Sequence, residues 1–335
     1  MGSRKPLVVV LMIALSCLLV LASTSFLYCK SASSWSCGEY RLRGCPQVPP
    51  PKPIMETAPW SATPKAARNS SNPRIHIPSR QRGRETRRPV PFSKCKRASV
   101  RPHNTLPLAA LNSYPGSGNT WLRYLIERAT GISTGSIYCD KALKKGGFVG
   151  ECKRATCGCT VVVKIHLIEG RFKAYPWQRG ILLMRNPYDA LIAEYNRLKG
   201  RGHVKHAPRT TFLNSDWEKF CSGHIRLWSK ILEDALQVFG TNILVVHFED
   251  LVSDLDTQLL EIVNFLGIDE AIVTERLRCT LDHPEGKFKR KGAKLDFDPY
   301  SAEQKSAIDN AIGRAIDRLR DANLKLPPYA ANFTL

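Results

Sequence analysis

Residues 106–128 read Leu106-Pro-Leu-Ala-Ala-Leu-Asn-Ser-Tyr-Pro-Gly-Ser-Gly-Asn-Thr-Trp-Leu-Arg-Tyr-Leu-Ile-Glu-Arg128, and the stretch changes character twice. Leu106, Leu108, Ala109, Ala110 and Leu111 form a short apolar run, which Pro115, Gly116, Ser117 and Gly118 break. Trp121, Leu122, Leu125, Ile126 and Ala129 then recur at helical spacing. The pattern predicts a buried strand, a glycine-bearing turn and an amphipathic helix. Such a turn presents backbone N–H groups at the positive end of a helix and suits a phosphate or sulfate. Ser117, Asn119 and Thr120 add candidate side-chain donors. Taken alone, a Gly-x-Gly turn is also the form of a tight connection. No Gly-Lys-Ser/Thr follows, so the lysine of a nucleotide triphosphatase loop is missing, which argues against a lumenal kinase.

Downstream the same alternation continues. Apolar runs at Thr160–His166, Ile181–Met184 and Ile243–Phe248 predict strands, with helices starting near Thr120, Tyr188, Asp216, Asp256 and Ser301. Ser301 and Gln304 have capping-box spacing. Strands alternating with helices predict an α/β fold, a mostly parallel sheet with helices on both faces. Its ligands bind at the carboxyl ends of the strands, where the 115–119 turn and His166 both fall.

Upstream the chain reads differently. Pro6–Cys29 carries no charged residue over 24 positions, enough to cross a bilayer core, which needs about 20. A cleaved signal peptide is the competing reading; Ala22-Ser23-Thr24 is a poor cleavage site, which favours a signal-anchor. Residues 1–5 are then a cytoplasmic tail, 6–29 the transmembrane segment, 30–105 a disordered lumenal stem and 106–335 the folded domain. Twelve of the 22 prolines lie between Pro46 and Pro102, where large apolar residues are sparse. Arg84-Glu85-Thr86-Arg87 offers a basic-specific protease a place to cut.

The formal net charge is +21, but residues 30–105 hold sixteen Lys/Arg against three acids. Most of the basic excess therefore lies outside the expected domain, which removes the charge argument for nucleic acid as a partner. Ten of the 11 cysteines follow the apolar core of this span, Leu7–Ala22, and Asn69-Ser70-Ser71 and Asn332-Phe333-Thr334 are glycosylation acceptors. Both features suit an oxidising lumen. Between the first helix and the second expected strand lie Cys139, Cys152, Cys157 and Cys159. Four cysteines suffice for zinc, but without paired Cys-x-x-Cys knuckles disulfides are favoured.

Five elements then occur in an order that resembles the sulfotransferases using 3′-phosphoadenosine-5′-phosphosulfate (PAPS). They are Tyr114-Pro115-Gly116-Ser117-Gly118-Asn119-Thr120-Trp121, Lys164-Ile165-His166-Leu167, Arg185-Asn186-Pro187-Tyr188-Asp189, Phe248-Glu249-Asp250 and Phe288-Lys289-Arg290-Lys291-Gly292. The resemblance covers nearly all of residues 106–325. In detail it is nearest the WSC-domain-containing branch, whose members resemble sialic-acid O-sulfotransferases; the WSC module itself is absent here.

The resemblance implies a P-loop-like fold and PAPS as co-substrate without a metal. By it, residues 116–120 hold the 5′ phosphosulfate, Trp121 and Phe248 enclose the adenine, and Arg185 and Arg290 grip the 3′ phosphate. The loop around Arg290, Lys291 and Gly292 closes on the nucleotide, and His166 is the general base. It further implies a glycan acceptor on glycoprotein or glycolipid, with sialic acid as one candidate, and a single-pass type II Golgi membrane protein. Two positions depart from the family. Gly116 stands where many relatives have a lysine touching the leaving oxygen, and Lys164 is the expected substitute. Ala193 stands where relatives often have a phosphate-binding serine, with Asn196 or Arg197 as replacements. These departures keep open the alternative of a catalytically degenerate relative that binds nucleotide or acidic glycan without turnover.

Overall fold

The computed structural model describes residues 89–200, 205–288 and 295–333. Five strands, β1 (Ala109–Ser113), β2 (Gly135–Ser136), β3 (Val163–Ile165), β4 (Arg179–Met184) and β5 (Ile243–His247), form an all-parallel sheet ordered β2-β3-β1-β4-β5. The chain leaves β1 for the far edge, returns to β3 beside β1, and then crosses to β4 on β1's other side. Strand order therefore reverses at the carboxyl end of β1, where a crevice opens in sheets of this kind.

Successive residues of a strand point to opposite faces, and here both faces are covered, so the strands read as unbroken apolar runs. Ala109, Leu111, Ile181, Leu183 and Val246 pack with Leu122, Ile126 and Ile262 of α1 (Asn119–Thr130) and α6 (Leu255–Leu266). Ala110, Leu182, Met184 and Val245 pack with Leu191, Trp228 and Ile312 of α3 (Pro187–Lys199), α4 (Ser215–Phe239) and α8 (Ala302–Asp321). Each large aliphatic side chain so buried contributes about 1.5–3 kcal/mol. The Ser301–Gln304 capping box starts α8 as its spacing predicts. At α3, Pro187 takes the first turn and Asn186 Oδ1 accepts from the Tyr188 amide at 3.0 Å.

Four elements carry no periodic signal strong enough to announce them: β2, α2 (Lys141–Lys145), α5 (Phe248–Ser253) and α7 (Glu270–Asp282). A two-residue strand has no period, and β2 exists because β3 supplies its partners. Helix α7 is held by Val273 and Leu277 against Leu125 and Ala129 of α1.

The cysteines of the insertion after α1 pair as Cys139–Cys152 and Cys157–Cys159, which removes the zinc reading. Residues 89–105, assigned to the stem by composition, are ordered on the domain. Cys95 is bonded to Cys279, Ser99 bridges Ile132, and Arg276 donates to the Lys96 and Arg97 carbonyls at 2.9 and 3.1 Å. Main-chain hydrogen bonds and one disulfide hold this segment, so its lack of apolar residues hid it. The expected anchor at 6–29 and the stem up to residue 88 lie outside the described residues. Among those described, no helix is long and apolar enough to cross a membrane.

Candidate active site

The turn between β1 and α1 lies at the strand-order reversal. Gly116 and Gly118 both have left-handed backbone, φ +89° and +93°. A Cβ at Gly116 would stand 2.5 Å from the Ala190 carbonyl oxygen and 2.9 Å from the Glu194 amide nitrogen, both on α3. A Cβ at Gly118 would stand 2.7 Å from the Phe248 ring. Only glycine fits either position, so the lysine that relatives carry at the first is sterically barred here. Gly118 caps α1 without a side-chain bond, and the first-turn N–H groups of a helix have no intrahelical acceptor. The Ser117 hydroxyl is fully buried and has no partner within the protein. An orphaned buried hydroxyl beside open amides fits an anion.

Arg185, just past β4, closes one side. Its Nη1 donates to the Gly116 carbonyl at 3.0 Å, and its guanidinium carbon lies 4.3 Å from the centroid of the Phe248 ring. Its Nε is buried without a partner. Burial pushes the guanidinium pKa down, against the opposing pull of Asp189 and Glu249. The Glu249 carboxylate accepts from the Asn186 amide at 2.8 Å, pinning the turn that carries Arg185.

His166 closes the other side, immediately after β3. Its Nδ1 lies 2.7 Å from the Ser113 carbonyl oxygen, at the end of β1. A carbonyl only accepts, so Nδ1 carries the proton and Nε2 keeps its lone pair. Ser113 Oγ accepts from Asn119 Nδ2 at 3.0 Å, tying the imidazole's anchor to the first residue of α1. Burial, with the charge of Lys164 next, holds the imidazole pKa well below its usual range. His166 is therefore a neutral acceptor at neutral pH, the state a general base requires. Lys164 is itself buried and its ammonium lies 5.5 Å from the Tyr138 ring centroid. Burial and then Arg123 bring its pKa down to about 8, with Glu151 opposing.

The predicted residues are thus brought together at one end of the sheet, with differences in detail. Asn119 is buried with its amide turned inward to Ser113 and to the Leu111 carbonyl at 3.4 Å, so only its backbone N–H faces the turn. Thr120 stands half-buried on the first turn of α1. Trp121 and Phe248 do not form two walls of a slot. Their rings meet edge to face at 5.6 Å, and Trp121 Nε1 donates to the Pro284 carbonyl at 2.7 Å. Trp121 therefore braces Phe248, which alone faces Gly118 and Arg185. Near Ala193, Asn196 Oδ1 accepts from the Ala207 amide at 2.8 Å and Arg197 Nε donates to Glu194 at 2.7 Å. Arg290, Lys291 and Gly292 lie outside the described residues.

Sequence reasoning missed Ser113 and Tyr138. Ser113 acts through its carbonyl, which no side-chain pattern reveals. Tyr138 sits in the cysteine insertion, 28 positions from the histidine amide that donates to it at 2.9 Å.

Residues 164–315 match a family described as the sulfotransferase domain. Over 208 residues the chain is 40% identical to the WSCD family member CG9164 of Drosophila melanogaster, covering 61% of this chain and 63% of that protein. It therefore spans less than two thirds of that relative's length. Over 224 residues it is 38% identical to the WSCD family member AAEL009094 of Aedes aegypti, covering 65% of this chain and 68% of that one. A crystal structure of a mouse sulfotransferase complexed with PAP overlaps at TM-score 0.42 and 19% identity, covering 69% of this chain and 91% of that chain.

Proposed function

From the premise that this chain belongs to the WSCD family, with a sulfotransferase domain match over 164–315, we propose that it moves a sulfuryl group from PAPS to a glycan hydroxyl. The observation that carries the reading is the 2.7 Å bond from His166 Nδ1 to the Ser113 carbonyl. It leaves an unprotonated Nε2 on the residue anchored at the end of β1, from which the turn with the orphaned Ser117 hydroxyl follows.

PAPS, when bound, supplies a sulfuryl group on a phosphate leaving group. The amides of Gly116, Gly118, Asn119 and Thr120 and the Ser117 hydroxyl would hold the 5′ phosphosulfate, the Ser117 amide being spent on the Tyr114 carbonyl at 3.2 Å. Arg185 would take the 3′ phosphate through its unpaired Nε, while its Nη1 keeps the turn in place. Phe248 offers one apolar face to the base. His166 Nε2 would accept the proton of the acceptor hydroxyl, and the charge developing on the leaving oxygen needs a cation. Lys164 would supply it. Positioning and electrostatics of this kind suffice without a metal, by analogy with phosphoryl transfer.

The acceptor is a glycan on glycoprotein or glycolipid, with sialic acid first among those to test. The three disulfides support an oxidising lumen. In this reading residues 6–29 anchor a type II Golgi protein. Binding without turnover is the second reading, favoured by Gly116 and Ala193; the buried Lys164 beside His166 weighs against it.

Transfer of radiolabelled sulfate from PAPS to native and desialylated glycoproteins tests the proposal, with calorimetry of adenosine 3′,5′-bisphosphate alongside. His166→Ala is expected to abolish transfer and to bind the bisphosphate as wild type does. Equal transfer by that variant sinks the assignment of the base. Binding without any transfer by wild type selects the second reading.

A further inference from the structure

Tyr138 is the first aromatic residue after β2, and its placement is fixed from both sides. On the strand side, the Ile137 amide donates to the Lys164 carbonyl at 3.2 Å, continuing the β2–β3 ladder. The Tyr138 amide donates to Ser136 Oγ at 3.1 Å. On the other side, Cys139 takes a left-handed φ of 51° and is bonded to Cys152. The Asp140 amide donates to Glu151 Oε1 at 3.1 Å, and Glu151 pairs with Arg123 of α1, both side chains being fully buried. The insertion is thereby clamped to the helix that starts at the anion-binding turn.

So held, Tyr138 makes two contacts with β3 and its end. Its hydroxyl accepts the His166 backbone N–H at 2.9 Å, and the two rings lie 5.4 Å apart at 33°. The Lys164 ammonium sits 5.5 Å from its ring centroid, within cation–π reach. Two groups of opposite chemical role, a base and a cation, are thus spaced by one aromatic side chain from outside their own strand.

We infer that Tyr138 is a positioning residue for sulfuryl transfer: its hydroxyl sets the His166 main chain, and its ring holds the Lys164 ammonium in the charged state beside it. The inference rests on the function proposed above. Without the hydroxyl the His166 amide loses its acceptor, and the residue is left held by Ser113 at its imidazole and by Asn112 at its carbonyl, at 2.9 Å. Without the ring the Lys164 charge faces Arg123 and Arg197, with Glu151 and Asp140 as counter-charges. Loss of the ring therefore favours the neutral amine. Burial keeps the phenol itself protonated, its pKa pushed up to about 12, so its own titration does not enter at neutral pH.

The test uses the full chain with PAPS and an accepted glycoprotein, comparing Tyr138→Phe, Tyr138→Leu and His166→Ala. Tyr138→Phe keeps the ring. Its kcat is expected to fall about tenfold with the KM for PAPS unchanged, because the base is misplaced while the nucleotide site is intact. Tyr138→Leu is expected to lose at least as much and to move the alkaline limb of the kcat profile about half a unit lower. A merely structural tyrosine would lower the melting temperature and leave kcat and the limb where they are; that result overturns the inference. So does a limb in Tyr138→Leu that is unchanged or raised. If wild type transfers no sulfate, the proposed function and this inference fall together. If wild type is active, His166→Ala is dead and both Tyr138 variants match wild type, the inference alone falls.

Discussion

Arg185 Nη1 donates to the Gly116 carbonyl oxygen at 3.0 Å, so the arginine after β4 and the glycine turn after β1 are one unit. The bond spends one guanidinium N–H on the protein and leaves Nε unpaired. Replacement by lysine keeps the charge and loses the fork that makes both contacts at once. Arg185→Lys is expected to weaken adenosine 3′,5′-bisphosphate binding by about 1.5–3 kcal/mol, roughly ten- to a hundredfold. Isothermal titration calorimetry reads this directly, and an unchanged affinity would remove Arg185 from the phosphate site.

The two glycines of the turn should differ when substituted. At Gly116 the added methyl meets the backbone of α3, which does not yield; at Gly118 it meets the side chain of Phe248. Gly118→Ala with Phe248→Ala is therefore expected to recover part of the melting temperature lost in Gly118→Ala. The positive φ would still cost about 1 kcal/mol. Gly116→Ala is expected to respond to no side-chain truncation. Scanning calorimetry on the two series decides.

The pH profile of kcat follows from two groups. His166 is held neutral well below the ordinary histidine range, so the base stays available through pH 6–7.5 and the profile should be flat there. Lys164 must keep its proton to stabilise a leaving oxygen, and its pKa of about 8 places an alkaline limb there. In Lys164→Arg the guanidinium does not deprotonate, and the limb is expected to disappear while some activity persists. A limb that survives in this variant would assign it to another group.

His224 on α4 gives a stability test independent of activity. Its Nδ1 lies 2.8 Å from the Tyr114 hydroxyl and its ring stacks on Phe220, and burial lowers its pKa to about 4. The unfolded chain takes up this proton near pH 6.5 and the folded one resists it. The contribution is therefore complete above pH 6.5 and is lost as pH falls from there toward 4, up to about 3 kcal/mol. The fall in melting temperature from pH 7 to pH 5 is expected to be smaller in His224→Phe than in wild type. An equal fall would show that this imidazole is not held neutral by the fold.

Cys95 and Cys279 are 184 positions apart. Closing so long a loop restricts the unfolded chain by about 5 kcal/mol in the entropic account. A Cys95→Ser, Cys279→Ser variant is expected to unfold at distinctly lower denaturant with an unchanged site. A chain beginning at Leu106 should lose more, since it also lacks the Ser99–Ile132 bridge and the carbonyls that Arg276 grips. Denaturant midpoints of the three proteins rank them, and equal midpoints would mean that residues 89–105 add nothing to the fold.

The α/β architecture, the central strand, the turn and the presence of His166 and Arg185 beside it were legible along the chain. Each is written locally: apolar runs of strand length, glycines where φ must be positive, a capping serine before a helix. What tertiary structure alone decided is how those residues are aimed. The tautomer of His166 depends on a carbonyl 53 positions away, and the inward turn of Asn119 depends on that same serine. Trp121 braces Phe248, and does not face it across a base, because the Pro284 carbonyl holds its indole. Tyr138 reaches β3 because the sheet puts β2 beside it and two disulfides fold the insertion back. Local patterns specify which groups are present, because propensity and burial act over a few residues. Directional hydrogen bonds between distant segments specify what each group can do, and these arise only when the chain has closed on itself.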